Sequence, residues 1–151
     1  MSATRIGLFD AVVREALTAG VTVRFRAAGA SMYPTIRDGE TVSIAPVELA
    51  DIVYGDVLLY RASGRLLAHR VVGLTASRER LVVHVRGDAK RACDAPVDGS
   101  DVVGRVIAVD RGGRVIPLHG RIPRLQHGVR AALSRARQRL RRAPANGCET
   151  C

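Results

Sequence analysis

Residues 21–47 read VTVRFRAAGASMYPTIRDGETVSIAPV, and the way this stretch is parsed decides the rest of the chain. Its two ends, 21–27 and 40–47, alternate apolar with polar residues, the pattern of strands that bury one face. Between them lies GASMYPTIRDGE (29–40). Small residues lead into a lone hydroxyl at Ser31, followed by a methionine, an aromatic, Pro34 and an Arg-Asp-Gly turn. Gly29 and Ala30 allow close approach from outside, and Pro34 removes backbone freedom just beyond the serine. The stretch is therefore strand, turn, strand, with the serine held on a stiff turn. A serine so placed either happens to lie in a loop or is a nucleophile, and a nucleophile needs a base from elsewhere in the chain.

Working outward, DVLLYRA (56–62), RLLAHRVVGLT (65–75), RLVVHVRG (80–87) and DVVGRVIAVD (101–110) read as four further strands. The turn signals RDG, YGD, ASGR and VDGS separate them. Six strands with short connections predict a small, mainly β body. The hydrophobic share is 47%, yet Trp is absent and Phe and Tyr are few, so the core must be built from aliphatic residues. At the N-terminus Phe9, Val12, Val13, Ala16 and Leu17 recur at helical spacing, and Gly20 supplies a stop. The division read from this is an amphipathic helix (1–20), a β body (21–119) and a basic segment (120–151). No internal repeat is present.

Charge is distributed unevenly. Residues 111–151 hold ten Arg and one acid, Glu149, so +9 of the net +10 sits there and the body is nearly neutral. Within this segment Leu125, Val129, Leu133, Ala136 and Leu140 form a narrow helical stripe set among arginines. Such a helix packs its stripe on the body or docks on an anionic membrane surface. Arginine without interleaved aromatics binds phosphate but reads little sequence, so nucleic acid is not expected as a partner. No apolar run approaches the roughly 20 residues of a membrane span. Asp10 and Glu15 interrupt the N-terminal apolar pattern, so it does not read as a signal peptide. The chain is expected to be soluble and cytoplasmic, with peripheral membrane contact through the basic helix. Cys93, Cys148 and Cys151 make no disulfide framework, and Cys148-x-x-Cys151 lacks a second ligand pair, so neither metal nor cofactor is expected.

Candidates for the base are one lysine, Lys90, and four histidines. His119 and His127 lie in or beside the basic segment. His84 alternates with Val83 and Val85, so on a one-sided strand it points away from their apolar face. His69 lies within LLAHRVVGL, a strand with apolar residues on both sides. An isolated histidine on a strand is ordinarily just accommodated there, and the composition alone does not choose among these.

The ordered set does more. Ser31-Met32-x-Pro34-Thr35, the Arg37-Asp38-Gly39 turn, Gly55-Asp56-Val57, His69-Arg70-Val71 and Gly87-Asp88 follow one another at plausible spacing. Over residues 25–110 the chain resembles the type I signal peptidases and their relatives, a serine peptidase superfamily that includes the autocleaving LexA-type repressors. The resemblance implies that superfamily's coiled β body and cleavage of a peptide bond in a protein or leader-peptide substrate. It also implies roles. Ser31 is the nucleophile. His69 stands where the leader-peptidase and LexA branches carry a lysine, as in the endoplasmic-reticulum, archaeal and sporulation-type enzymes, so His69 is the general base and Lys90 matches no catalytic lysine. Asp94, six residues beyond Asp88, is the orienting acid. Asp88 is read as structural, holding the loop before Asp94, with an exchange of the two roles left open.

A neutral imidazole near its ordinary pKa of about 6.5 can take the serine proton. A carboxylate beside it fixes the tautomer and offsets the charge gained. The Asp94 charge is expected to hold the His69 pKa near or above that ordinary value. Backbone N–H groups of the turn, that of Ser31 included, are the expected oxyanion donors, because Gly29 offers no side-chain donor where the leader-peptidase branch has a hydroxyl. Two other readings of the same scaffold are a catalytically inactive peptide-binding module and a LexA-like self-cleaving regulator. The second is weakened, since the residues before the first strand are too few for a helix-turn-helix domain.

Overall fold

Val13 and Leu17 stand one turn apart on the first helix, and both are buried. That spacing is why α1 (Ala3–Thr18) lies on a sheet instead of standing as a unit of its own. Their cluster includes Val42, Ile44, Val106 and Val109 of the sheet, so the N-terminal helix belongs to the core of the body. The helix ends as its sequence requires. The Gly20 N–H donates to Leu17 O at 3.0 Å and the Val21 N–H to Ala16 O at 2.9 Å, with Gly20 at φ +81°. The computed structural model describes residues 3–77 and 80–118.

Eight strands follow: β1 (Val23–Arg26), β2 (Thr41–Ala45), β3 (Val57–Ala62), β4 (Arg65–Ala76), β5 (Leu81–Arg86), β6 (Val97–Asp98), β7 (Val102–Arg111) and β8 (Arg114–Pro117). All pairings are antiparallel, in the order β1-β2-β7-β3-β4-β5-β6, with β8 also on β7. Register shifts interrupt β2 on β7, β3 on β7 and β4 on β5. Each extra residue bends its strand, and together they curl the sheet into a half-barrel. The molecule is mainly β, as the strand pattern predicted.

β3 lies mid-sheet, and its residues Val57 to Tyr60 are all buried. Val57 and Leu59 enter the cluster under α1, while Leu58 and Tyr60 enter a second cluster with Val71, Val83 and Val85. A strand covered on both faces needs an unbroken apolar run, which is what VLLY supplies. The β3–β4 hairpin closes through Ser63 and Gly64, both at positive φ, the geometry of a type I′ turn.

Two strands escape the sequence reading. β6 has two residues inside VDGS, which reads as a turn and does continue into a short 3-10 turn at Gly99–Asp101. β8 is the return arm of a hairpin whose turn, Gly112-Gly113, carries two positive φ values. The basic segment 120–151, with its Leu125–Leu140 stripe and the Cys148/Cys151 pair, lies outside the described residues, as does His119. Among the described residues no helix is long and apolar enough to cross a membrane.

The seat of α1 depends on Gly104 of β7. A Cβ there would lie 2.7 Å from Ile44 Cγ2, 2.9 Å from the Ala45 carbonyl oxygen and 3.1 Å from Leu17 Cδ1. The carbonyl cannot move without breaking the β2–β7 ladder. Gly104→Ala is therefore expected to destabilise the fold by about 1–3 kcal/mol through overpacking, read as a lower urea midpoint with an unchanged slope.

Candidate active site

The Ser31 turn is anchored from beneath. Met32 and Ile36 are buried in the cluster under α1, and the Ile36 N–H donates to Met32 O at 2.9 Å, so the chain makes one tight turn with Ser31 at its start. The Gly29 N–H is held by Asp38 Oδ1 at 2.7 Å. The Tyr33–Pro34 peptide is cis. On the far side Arg111, at the end of β7, donates through Nη2 to the carbonyls of Pro34 (3.3 Å) and Thr35 (3.2 Å) and pairs with Glu40. Sequence reasoning gave Arg111 no role and counted it with the basic segment, yet it holds the rear of this turn.

His69 lies on β4 opposite Leu58, just before β5 begins to pair at Arg70. Its Nε2 is 3.0 Å from Ser31 Oγ. Its Nδ1 meets the Asp94 carboxylate, Oδ2 being the nearer oxygen. A carboxylate at Nδ1 demands a proton there, which leaves Nε2 free to accept the serine O–H. Asp94 comes from the loop after β5, and its N–H donates back to Val85 O at 3.0 Å. Two further groups hold it. The Tyr60 hydroxyl donates to Oδ2 at 3.2 Å and lies 2.9 Å from His69 Nδ1, and Lys90 Nζ donates to Oδ1 at 2.7 Å. Lys90 thus approaches Asp94, and its ammonium is not bonded to Ser31. Tyr60 had no sequence signal beyond being one more apolar position in a buried strand.

The electrostatics correct one expectation. His69 is only 2% exposed, and this burial pulls its pKa below the ordinary 6.5, with the Lys90 charge acting in the same direction. The Asp94 carboxylate opposes the shift and does not overcome it. The sequence shows the charge but not the desolvation, and the desolvation wins. Burial likewise pushes the Asp94 carboxyl up, but hydrogen bonds and charge from Lys90 and His69 outweigh it and hold the group below the usual carboxylate range. Burial, then the Asp94 charge, push the Tyr60 phenol up, so it stays a donor.

Asp88 is not hydrogen-bonded to His69, and its charge acts on the ring only from a distance, in the same sense as that of Asp94. Arg70 Nε and Nη2 donate to the two Asp88 oxygens at 2.8 and 2.7 Å, and the Thr35 hydroxyl donates to Oδ2. Burial raises its pKa, and the guanidinium and hydroxyl more than reverse this. Asp88 therefore joins the serine turn to β4, and Asp94 is the carboxylate at the imidazole. Gly87 completes the junction. A Cβ there would sit 2.6 Å from Ser31 O and 3.3 Å from His69 Nε2, while the neighbouring Ala89 N–H donates to Ser31 O at 2.9 Å. His84 faces away, as its alternation implied, with Nε2 3.1 Å from the Thr75 hydroxyl.

A cleft of about 470 Å³ opens beside Ser31 and His69. Residues 25–29, at the end of β1 and just after it, and 66–69 of β4 both line it, so the curl of the sheet brings these distant strands to face each other. Each presents an unpaired edge among the described residues: β1 pairs with β2 alone, and residues 65–69 of β4 pair with β3 alone. Among the described residues no group of His, Cys, Asp and Glu is arranged to hold a metal ion. No protein-family model matches the chain, and no curated protein matches it significantly.

The shared carboxylate makes Lys90 testable without any reaction. Its positive charge depresses the His69 pKa, so Lys90→Gln is expected to raise it, while Asp94→Asn lowers it further. NMR titration of the His69 ring should show both shifts. A Lys90→Gln protein whose His69 titrates unchanged would mean that the ammonium does not act on the imidazole.

Proposed function

We propose that this chain is a serine endopeptidase and that its curled sheet is the catalytic body of the signal-peptidase and LexA-type superfamily. The observation that carries the reading is the unbroken array Ser31 Oγ, His69 Nε2, His69 Nδ1 and Asp94. A hydroxyl, an imidazole and a carboxylate in that order make a nucleophile out of an otherwise inert alcohol. The family's ordered motifs support the same reading.

In this mechanism the substrate enters the cleft extended, with the free edges of β1 and β4 supplying main-chain partners. Ser31 Oγ attacks the scissile carbonyl carbon while His69 Nε2 takes its proton. The tetrahedral oxyanion is met by turn N–H groups, that of Ser31 among them. Asp94, held by Tyr60 and Lys90, stabilises the imidazolium. His69 then protonates the departing amine, leaving an acyl group on Ser31, and a water deprotonated by His69 releases it. Burial of His69 suits this role, because a depressed pKa keeps the base neutral at neutral pH.

Purified protein should be labelled by a fluorophosphonate probe, and the label should vanish in Ser31→Ala and in His69→Ala. Asp94→Ala is expected to lower the labelling rate at least about a hundredfold. A folded wild-type protein that takes no label would sink the enzyme reading in favour of an inactive binding module.

The pH dependence follows from the base. His69 must be neutral, and its pKa lies below 6.5. Labelling rate, or kcat/KM once a substrate is known, should rise with pH, reach half its plateau below 6.5 and stay level through neutrality. A half-rise well above 7 would point to a different base.

A further inference from the structure

The turn that carries Ser31 is held on three sides. Met32 and Ile36 pin it to the core, the Thr35 hydroxyl ties it to Asp88, and Arg111 reaches it from the rear. Resting on the peptidase reading, we infer that Arg111 is a positioning residue for the nucleophile: through the Pro34 and Thr35 carbonyls, and with Glu40 as its anchor, it keeps Ser31 Oγ aligned on His69 Nε2. Arg111 Nη2 donates to Pro34 O at 3.3 Å and to Thr35 O at 3.2 Å, and among the described residues neither carbonyl has another donor. Thr35 is therefore fixed at both ends, its hydroxyl on Asp88 and its carbonyl on Arg111. Ser31 stands at the start of the same tight turn, closed by the Ile36 N–H on Met32 O. With so few residues between them, a rotation of the Pro34–Thr35 peptide displaces the serine.

An arginine suits this place better than a lysine. Its Nε and Nη2 take the two oxygens of Glu40, which fixes the plane of the guanidinium while Nη2 also reaches the carbonyls. Glu40 is itself tied to the turn, since its Oε2 accepts the Arg37 N–H at 2.9 Å. The bond to Arg111, more than that N–H, holds the Glu40 carboxyl below its usual range against burial, so the anchor stays charged. Neither Arg111 nor Glu40 lines the cleft, and the charges acting on His69 are those of Asp94, Lys90 and Asp88. The contribution of Arg111 is thus one of geometry, with substrate binding and the basicity of the imidazole outside its reach. An error of about 1 Å in placing a reacting group can cost about a hundredfold in rate.

The test uses the full chain and its rate of labelling by a fluorophosphonate, in which Ser31 Oγ bonds to phosphorus, fluoride leaves and the hydroxyl proton passes through His69 to water. Arg111→Ala is expected to lower the plateau rate about ten- to a hundredfold and to leave the pH of half-rise where the wild type has it. The Arg111 side chain is 33% exposed, so free guanidinium can enter the space it vacates. Guanidinium chloride at about 20 mM, far below the molar range that unfolds proteins, should restore much of the rate to Arg111→Ala, and sodium chloride at the same concentration should not. Arg111→Lys, a point charge without the fork, should fall between. If Arg111→Ala does not fold, Glu40→Gln, which removes the charged anchor, should lower the plateau in the same sense, and an unchanged plateau there overturns the inference. The 15N resonance of His69 Nε2 reports the bond from Ser31 without any reaction. It should move in Arg111→Ala towards its position in Ser31→Ala and return with guanidinium. An unchanged rate or an unmoved resonance overturns the inference and leaves the peptidase standing, as does a loss that guanidinium does not reverse. A wild-type protein that takes no label removes the peptidase, and the resonance alone then decides whether Arg111 sets the serine.

Discussion

One carboxylate holds three distant pieces of chain in register. Asp88, just past β5, takes both arms of the Arg70 guanidinium from β4 and the Thr35 hydroxyl from the serine turn. Arg70 also reaches back to the Gly55 carbonyl before β3. The serine turn, β4 and the chain after β5 each carry one member of the Ser31–His69–Asp94 array. A bidentate pair fixes angle as well as distance, which a single ammonium at the same place would not. The alignment of hydroxyl, imidazole and carboxylate is therefore a consequence of a side-chain junction beside the array, joined to it by the main-chain bond from Ala89 N–H to Ser31 O.

Much of this architecture was legible. Alternation marked six strands, and Ser31 on its turn stood out by flanking chemistry alone. His69 and Asp94 were not separable from other histidines and acids by composition; the ordered likeness to a known superfamily singled them out. What stayed hidden has physical reasons. Tyr60 reads as one more apolar residue in VLLY, because a pattern of burial does not say what a hydroxyl will find. Arg111 looked like the first residue of a basic run, because its bonds to Pro34, Thr35 and Glu40 span more than seventy positions. β8 could have been found, since Gly-Gly between Arg111 and Arg114 is a hairpin signal. β6 could not, being two residues long and paired only through tertiary contact.

His69 illustrates how a nearby charge can be outweighed. Asp94 touches the imidazole, and adjacency alone would raise its pKa. Instead the ring is buried, with Tyr60 of the second core cluster at Nδ1 and Ser31 at Nε2, and the carboxylate shares its charge with Lys90 and the Tyr60 hydroxyl. An acid with three partners is a weaker counter-charge to any one of them. Lys90, the lone lysine, thus acts on the imidazole both by its own charge and by engaging the carboxylate beside it.

The unpaired margins of the sheet carry a hazard of their own. An exposed row of main-chain donors and acceptors will accept any extended chain, including a second copy of the same strand, and that is the beginning of aggregation. β1 is only four residues long, and its outward positions are Arg24 and Arg26. Antiparallel pairing of two such strands would set guanidinium against guanidinium along the seam. The margin can thus stay open to a peptide while the protein's own copies repel one another there, a barrier to self-pairing written into every second residue of β1.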